Sequence, residues 1–246
     1  MNTSKPTTVP LPSTDEQSLQ IRNMLSAVSH DVSSPIRAVV GFADLMRSRA
    51  HGKLDKEELR WLELISTEGQ RAQHMLGSLS TFSNLMVAPL KSVKIDIESL
   101  LNCIGKRHAC ALNINIEALP QIEGDMNQWC QLFDELISNA IRFQSPDRPL
   151  HVSIRWHQDA DQRVLQIVDN GIGVKQRDFV RIVLPFFRTQ QIADLTDLRK
   201  GMGMGLAYCD QIIKRHGGYL SFAANPDHGL TVNCHLPNTT LAPDRR

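Results

Sequence analysis

Residues 25–46 read LSAVSHDVSSPIRAVVGFADLM, and the spacing of their apolar residues predicts a long helix. The apolar positions recur in steps of three and four, as in a coiled-coil seam; they are Leu25, Val28, Val32, Ile36, Val39, Ala43 and Met46. At about 100° per residue, His30 falls on the side of the helix away from this stripe. We therefore expect His30 to face solvent and Pro35 to bend the helix just beyond it.

A second helical pattern follows a short polar stretch that contains Gly52. Its apolar and small residues have similar spacing; they are Leu59, Leu62, Ile65, Gly69, Ala72, Leu76, Leu79 and Met86. Two helices of roughly 30 residues cannot cover stripes about 45 Å long from water by themselves. The pattern predicts a helical hairpin that pairs with a second copy in a dimeric four-helix bundle. The alternative is that the stripe packs on the rest of its own chain.

Beyond Pro89 the pattern changes to short strands interleaved with helices at 125–143 and 202–216. The strand-like stretches are VKIDI, LNINIEAL, HVSIRWHQ, RVLQIVDN, YLSFAAN and LTVNCHLP. This predicts an α/β sandwich with one layer of strands and one of helices. The expected boundaries are a disordered N-terminal tail at 1–18, the hairpin at 19–88, the α/β domain at 92–238 and a C-terminal tail at 239–246.

Composition excludes several classes of protein. The 27 Lys and Arg residues nearly balance the 26 Asp and Glu residues, which argues against nucleic acid as the main ligand. No apolar run approaches the length of a membrane span, and the N-terminus lacks a signal-peptide pattern. Five scattered cysteines favour reduced thiols over disulfides or a zinc site. We expect a cytoplasmic protein.

The stretch FDELISNAIRF, residues 133–143, places three polar side chains on one helical face. Glu135, Asn139 and Arg142 are spaced at i, i+4 and i+7. A carboxylate, an amide oxygen and a guanidinium suit hydrated Mg²⁺ and phosphates, although such triplets also occur on ordinary solvated helices.

Two glycine-rich stretches suit the close approach of a nucleotide. In VLQIVDNGIGV a strand ends at Asp169, whose carboxylate can accept a hydrogen bond from an exocyclic amine; an ordinary turn is the alternative reading. Gly171 and Gly173 follow it and give the backbone room. In KGMGMGL three glycines precede a helix, where free N–H groups bind phosphate; they are Gly201, Gly203 and Gly205. The spacing fits neither a P-loop nor the dinucleotide pattern.

Taken in order, five stretches resemble the conserved boxes of the sensor histidine kinases of two-component signalling. SHDVSSPIR resembles the histidine box, DELISNAIRF the asparagine box, DNGIG and GMGMGL the two glycine boxes, and LPFFR the phenylalanine box. The resemblance runs from about residue 20 to 237. The second domain also resembles the ATP-binding domains of gyrase, Hsp90-type chaperones and MutL.

This resemblance implies that His30 attacks the γ-phosphate of ATP and that the phosphoryl group then moves to an aspartate of a response regulator receiver domain. Asp31 matches the acidic neighbour that orients the imidazole. Ser34 stands where many of these kinases have a threonine or asparagine that positions the water for dephosphorylating the regulator. Because serine is shorter, the resemblance leaves phosphatase activity in doubt.

The resemblance also implies ATP and Mg²⁺ as cofactors. Asn139 matches the metal ligand, Glu135 lies in or near the metal shell, and Arg142 stands where a phosphate-contacting lysine is common. Asp169 should bind the adenine amine. Residues 188–200 should form a lid over ATP, with Arg188 as a phosphate contact, Phe186 and Phe187 as its anchor and Gly201 and Gly203 as its hinge.

Two competing functions follow from the same residues. One is a docking or phosphotransfer module that does not use ATP, and the other is an ATPase of the same superfamily in which His30 is incidental. The segment before the hairpin is shorter than the roughly 50 residues of a small domain. We therefore expect the signal to come from a separate sensor or regulatory protein.

Overall fold

The computed structural model describes residues 14–50, 52–108, 113–116, 119, 121–158, 162–189, 201–225 and 228–238. The chain divides into two compact units, Met1–Ala88 and Pro89–Arg246. Among the helices of these described ranges, none has the length and apolar character that a membrane span requires.

The first unit is a hairpin of two long helices, α1 (Thr14–Arg49) and α2 (Lys56–Val87). Helix α1 begins inside the range expected to be a tail, and its acidic first turn, TDEQ, is a sequence signal for that start. The rest of that tail, residues 1–13, lies outside the described residues. Pro35 lies within α1. Helix α2 begins at a capping box, in which Asp55 accepts from two backbone N–H groups.

The two helices come close together at Gly69. A Cβ atom there would lie 2.3 Å from Cγ2 of Val40, so a larger residue would require the valine side chain to shift. Beside it, the hydroxyl of buried Ser66 donates to Oδ1 of Asp44 at 3.0 Å. Part of the predicted stripe, such as Ala43 and Leu62, is buried in this interface.

Other members of the stripe, such as Ile36 and Leu76, are half-buried, and a third group that includes Val28 and Val39 is exposed, so the single seam expected from the sequence divides between two faces. The exposed apolar residues of the hairpin are Leu19, Ile21, Met24, Val28, Val32, Val39, Phe42, Leu45, Met46, Trp61, Leu64 and Ile65. One hairpin alone therefore leaves a long apolar surface uncovered.

The second unit contains a five-stranded sheet in the order β2-β4-β5-β7-β6 and a two-stranded sheet that pairs β1 with β3. The strands are β1 (Ser92–Asp96), β2 (Asn113–Ile116), β3 (Gln121–Asp125), β4 (His151–Gln158), β5 (Gln162–Asp169), β6 (Tyr219–Ala224) and β7 (Leu230–Pro237). Strands β2 and β4 are parallel, and the other neighbours are antiparallel.

The described part of this unit contains three α-helices: α3 (Ile97–Arg107), α4 (Met126–Arg142) and α5 (Gly205–Arg215). The cross-strand neighbours Ile154, Ile167 and Val232 are buried, as are Trp129 of α4 and Ile212 of α5. Helix α3 and strand β3 were not among the expected elements. Strand β3 reads QIEGD, and its glycine and two acidic residues interrupt the alternation of apolar and polar residues that predicts a strand.

Candidate functional site

His30 lies on the solvent side of α1, with 85% of its side chain exposed. Its Nδ1 lies 3.1 Å from Oδ1 of Asp31, whose side chain is 80% exposed. Consecutive helical residues diverge by about 100°, yet the two side chains meet. Because the neighbouring carboxylate accepts from Nδ1–H, the lone pair of Nε2 is left free. Ser34 and Arg37 are also exposed on this helix.

On α4, the half-buried side chains of Asn139 and Arg142 contact each other. Nη1 of Arg142 donates to Oδ1 of Asn139 at 3.1 Å, and Nη2 donates to Oγ of Ser138 at 3.3 Å. A Cβ on Gly201, which has φ +71°, would lie 2.7 Å from Nη1 of Arg142. The structure thus brings the second glycine stretch against the guanidinium, as a shared phosphate site requires.

Glu135 lies under the N-terminus of α5. A Cβ on Gly205 would lie 2.8 Å from Oε2 of Glu135 and 3.1 Å from Nδ2 of Asn139. Burial raises the pKa of Glu135, while Arg142 opposes that shift. The residue before the helix, Met204, makes no side-chain cap, so among the described residues no side chain at the N-cap occupies the first backbone N–H groups of α5, a position that suits an anion.

Asp169 ends β5 and is held by backbone donors. Its Oδ1 accepts from the N–H of Gly171 at 2.8 Å and from the N–H of Leu230 at 3.2 Å. Burial raises the pKa of Asp169, and these two hydrogen bonds oppose that shift. Within the described residues both contacts fall on Oδ1, which leaves Oδ2 to accept from a ligand amine.

The glycines beside Asp169 are required by close backbone contacts. A Cβ on Gly171 would lie 2.4 Å from the carbonyl oxygen of Phe143, at the end of α4. Gly173 has φ +71°, and a Cβ there would lie 3.0 Å from the carbonyl oxygen of Gly229. The first glycine stretch is therefore packed between the end of α4 and the turn that joins β6 to β7.

The turn between β6 and β7 is not among the site residues predicted from the sequence. Nδ2 of Asn225 donates to the carbonyl of Asp169 at 3.2 Å, and Gly229, with φ +104°, passes directly over the same peptide. The letters NPDHG signal a turn. These letters do not show that the turn contacts Asp169. That contact follows from the antiparallel pairing of β5 with β7, in which Val168 lies opposite Thr231.

The residues expected to anchor and hinge the lid, Phe186 and Gly203, lie next to each other. The N–H of Phe186, a non-glycine residue with φ +62°, donates to the carbonyl of Gly203 at 3.0 Å. The ring of Phe187 lies under the guanidinium of Arg181, 4.4 Å from the ring centroid. Arg188 is half-buried, and its contact with phosphate stays a prediction. Residues 190–200, most of the expected lid, lie outside the described residues.

The donor set fits Mg²⁺ as this ion is usually held next to phosphates. Asn139 and Glu135 present an amide and a carboxylate oxygen beside the start of α5. Mg²⁺ commonly takes one or two protein oxygens and completes its shell with phosphates and water. Oδ1 of Asn139 accepts one hydrogen bond from Arg142, and its second lone pair remains for coordination of a metal ion.

Comparison with known families matches both units. Residues 20–86 match the His Kinase A (phospho-acceptor) domain. Residues 124–240 match the histidine kinase-, DNA gyrase B- and HSP90-like ATPase domain.

Individual relatives are identical to this chain at about a quarter of the aligned positions. Phytochrome-like protein Cph1 of Synechocystis is 25% identical over 91% of this chain and 30% of its own length. The cell-division control histidine kinase PdhS of Brucella ovis is 24% identical over 94% of this chain and 24% of its own length. The chain therefore spans less than a third of either relative.

A solved structure has the same fold. The crystal structure of full-length ShkA in complex with AMPPNP matches 90% of this chain and 47% of that protein, with a TM-score of 0.60 and 22% identity.

Proposed function

Because the chain belongs to the sensor histidine kinase family, we propose that it is an ATP-dependent protein kinase that phosphorylates its own His30. The phosphoryl group then passes to an aspartate of a response regulator receiver domain. The observation that carries the proposal is the exposed imidazole of His30 beside Asp31, on a chain whose second unit gathers the nucleotide-type residues of α4, β5 and α5.

The hydrogen bond between His30 and Asp31 supports a separate role for each ring nitrogen. Nδ1–H donates to Asp31, so Nε2 holds the lone pair and acts as the nucleophile. As the bond from Nε2 to the γ-phosphorus forms, the bond from that phosphorus to the bridging oxygen breaks and ADP leaves. The Asp31 carboxylate stabilises the positive charge that develops on the ring and accepts its proton.

The second unit holds the nucleotide by three groups. Oδ2 of Asp169 accepts from the adenine amine, and the free N–H groups at the start of α5 bind phosphate oxygens. Arg142 contacts phosphate through N–H groups that its bonds to Asn139 and Ser138 do not use. Asn139 and Glu135 hold Mg²⁺, which neutralises phosphate charge when bound.

The partners follow from the hairpin. A second copy covers the apolar residues that one hairpin leaves exposed, which gives a homodimer. A response regulator docks where His30 is exposed, and exposed Ser34, one turn further along α1, is the candidate to hold a water for dephosphorylation. A separate sensor or regulatory protein stays a prediction.

Reduced thiols support a cytoplasmic location for this activity. Of the described cysteines, Cys103, Cys130, Cys209 and Cys234 are all free. Burial raises the pKa of Cys234 to about 12 and that of Cys209 well above its usual value, as expected for thiols that only fill the core.

The test is incubation with γ-labelled ATP and Mg²⁺. Wild type should acquire an acid-labile, base-stable label, because the product is a phosphoramidate. His30→Ala should acquire none while still binding ATP, and Asn139→Ala should lose both the label and the binding. His74→Ala, which replaces an exposed histidine of α2, is the control and should be labelled normally.

Each competing function predicts a different outcome. Absence of nucleotide binding in wild type would favour a docking module. ATP hydrolysis without labelling, unaffected by His30→Ala, would favour an ATPase. An acid-stable label would contradict histidine as the nucleophile.

A further inference from the structure

The turn that joins β6 to β7 touches Asp169 at three points. Its Leu230 N–H donates to the carboxylate Oδ1 at 3.2 Å. The side-chain Nδ2 of Asn225 donates to the main-chain carbonyl of Asp169, also at 3.2 Å. Gly229 is buried and lies against that same carbonyl. The carboxylate and its peptide are therefore held from one turn, 56 to 61 residues further along the chain.

Gly229 leaves no space for a side chain. A Cβ there would lie 2.0 Å from the carbonyl oxygen of Asp169 and 2.9 Å from Cα of Asn170. Both neighbours are backbone atoms, so no rotamer change relieves the overlap, and φ +104° is itself unfavourable for other residues. Any side chain at 229 must push the end of β5 away from the turn.

We propose that this turn positions Asp169, and that Asn225 and Gly229 are positioning residues that set the preference of the site for a base with an exocyclic amine. The inference rests on the proposed role of Asp169 as the contact to the base. With Oδ1 held by Gly171 and Leu230, the carboxylate has a single orientation, and Oδ2 points in one fixed direction. If the turn is displaced, the carboxylate of Asp169 can rotate, and Oδ2 no longer points in one direction.

The experiment compares the binding of ATP and inosine triphosphate by calorimetry in the presence of Mg²⁺. Inosine triphosphate has a carbonyl oxygen where ATP has the amine. A hydrogen bond to a charged group contributes about 1.5–3 kcal/mol, so wild type should prefer ATP by roughly tenfold or more. In Gly229→Ala the preference should fall to within about threefold, because ATP loses affinity and inosine triphosphate does not. Asn225→Ala should show a smaller loss in the same direction.

Two controls separate positioning from general damage. Gly217→Ala introduces the same left-handed strain (φ +77°), but its Cβ would meet only the ring of Pro237 at 3.4 Å. Asn233→Ala removes side-chain hydrogen bonds to Gln166 and Ser221 without touching Asp169. Both should keep the wild-type preference, whatever their melting temperatures.

The outcomes distinguish this inference from the proposed function. A wild type that binds both nucleotides equally, or neither, contradicts the role of Asp169 itself. A wild type that discriminates, together with Gly229→Ala and Asn225→Ala variants that discriminate equally well, overturns the positioning role alone. If Gly229→Ala does not fold, Asn225→Ala decides.

Discussion

At the scale of single residues, the buried histidine at the C-terminal end of α5 offers a test of how burial controls protonation. His216, which is 2% exposed, follows the last turn of α5. Its Nε2 accepts from the backbone N–H of Asp125 at 3.1 Å, and its Nδ1–H donates to the carbonyl of Ile212 at 2.8 Å. These two bonds require the neutral ring, with the proton on Nδ1.

Burial lowers the pKa of His216 below its ordinary 6.5. As the pH falls through about 6.5, the unfolded chain takes up a proton that the folded state refuses, so the free energy of unfolding decreases. Above that pH the ring is neutral in both states and this loss is absent. We therefore expect stability against urea to fall between about pH 7 and pH 5.

The variant His216→Gln should remove most of this pH dependence, although it also lowers stability at every pH. His235→Gln is the comparison. Burial also lowers the pKa of His235, but this residue is only half-buried, so the substitution should remove a smaller part of the pH dependence. A slope that is the same in wild type and His216→Gln would show that the buried ring is not its source.

At the scale of elements, the crossing of α1 and α2 depends on one missing methyl group. Gly69→Ala places a Cβ 2.3 Å from Cγ2 of Val40. Overpacking costs about 1–3 kcal/mol, which outweighs the roughly 1 kcal/mol that alanine contributes as a better helix former. We expect a lower midpoint of unfolding for the hairpin, measured by circular dichroism in urea.

Gly77→Ala is the matched control on the same helix, since nothing lies within 4 Å of its Cβ position. Here the helix propensity acts alone and should stabilise by up to about 1 kcal/mol. Equal effects of the two substitutions would contradict the close crossing at Gly69.

At the scale of the whole molecule, the exposed apolar face of the hairpin should bury itself in a dimer. Phe42 is 66% exposed, and other large apolar side chains on the same two helices are exposed with it. A charge within such a face leaves an unpaired carboxylate in the interface. Phe42→Glu should therefore sediment as a monomer at concentrations where wild type and Phe42→Leu are dimers.

The same variant should still bind ATP, because all the nucleotide-type residues belong to the separate unit Pro89–Arg246. Loss of nucleotide binding together with dimerisation would contradict this independence. A dimer that persists in Phe42→Glu would remove this face as the interface.

Much of the molecule follows from local pattern in the sequence. The steps of three and four that include Val28 and Val39 predict the hairpin, alternation predicts most strands, and an imidazole opposite an apolar stripe predicts the exposure of His30. The chemistry predicted for Asp169 rests on its carboxylate and the glycines that follow it, and that predicted for Asn139 rests on Glu135 and Arg142 on the same helical face. These features depend only on residues within a few turns of each other.

The tertiary structure alone decided which distant residues meet. Gly205 lies against Glu135, Gly229 against Asp169 and Gly69 against Val40, and no periodicity links the members of these pairs. They are set by strand register and by helix packing, and a register shift by a single residue would separate Asp169 from Leu230. The sequence determined the elements and the reactive groups, and long-range packing determined how those groups are held, because contact between distant residues leaves no local repeat.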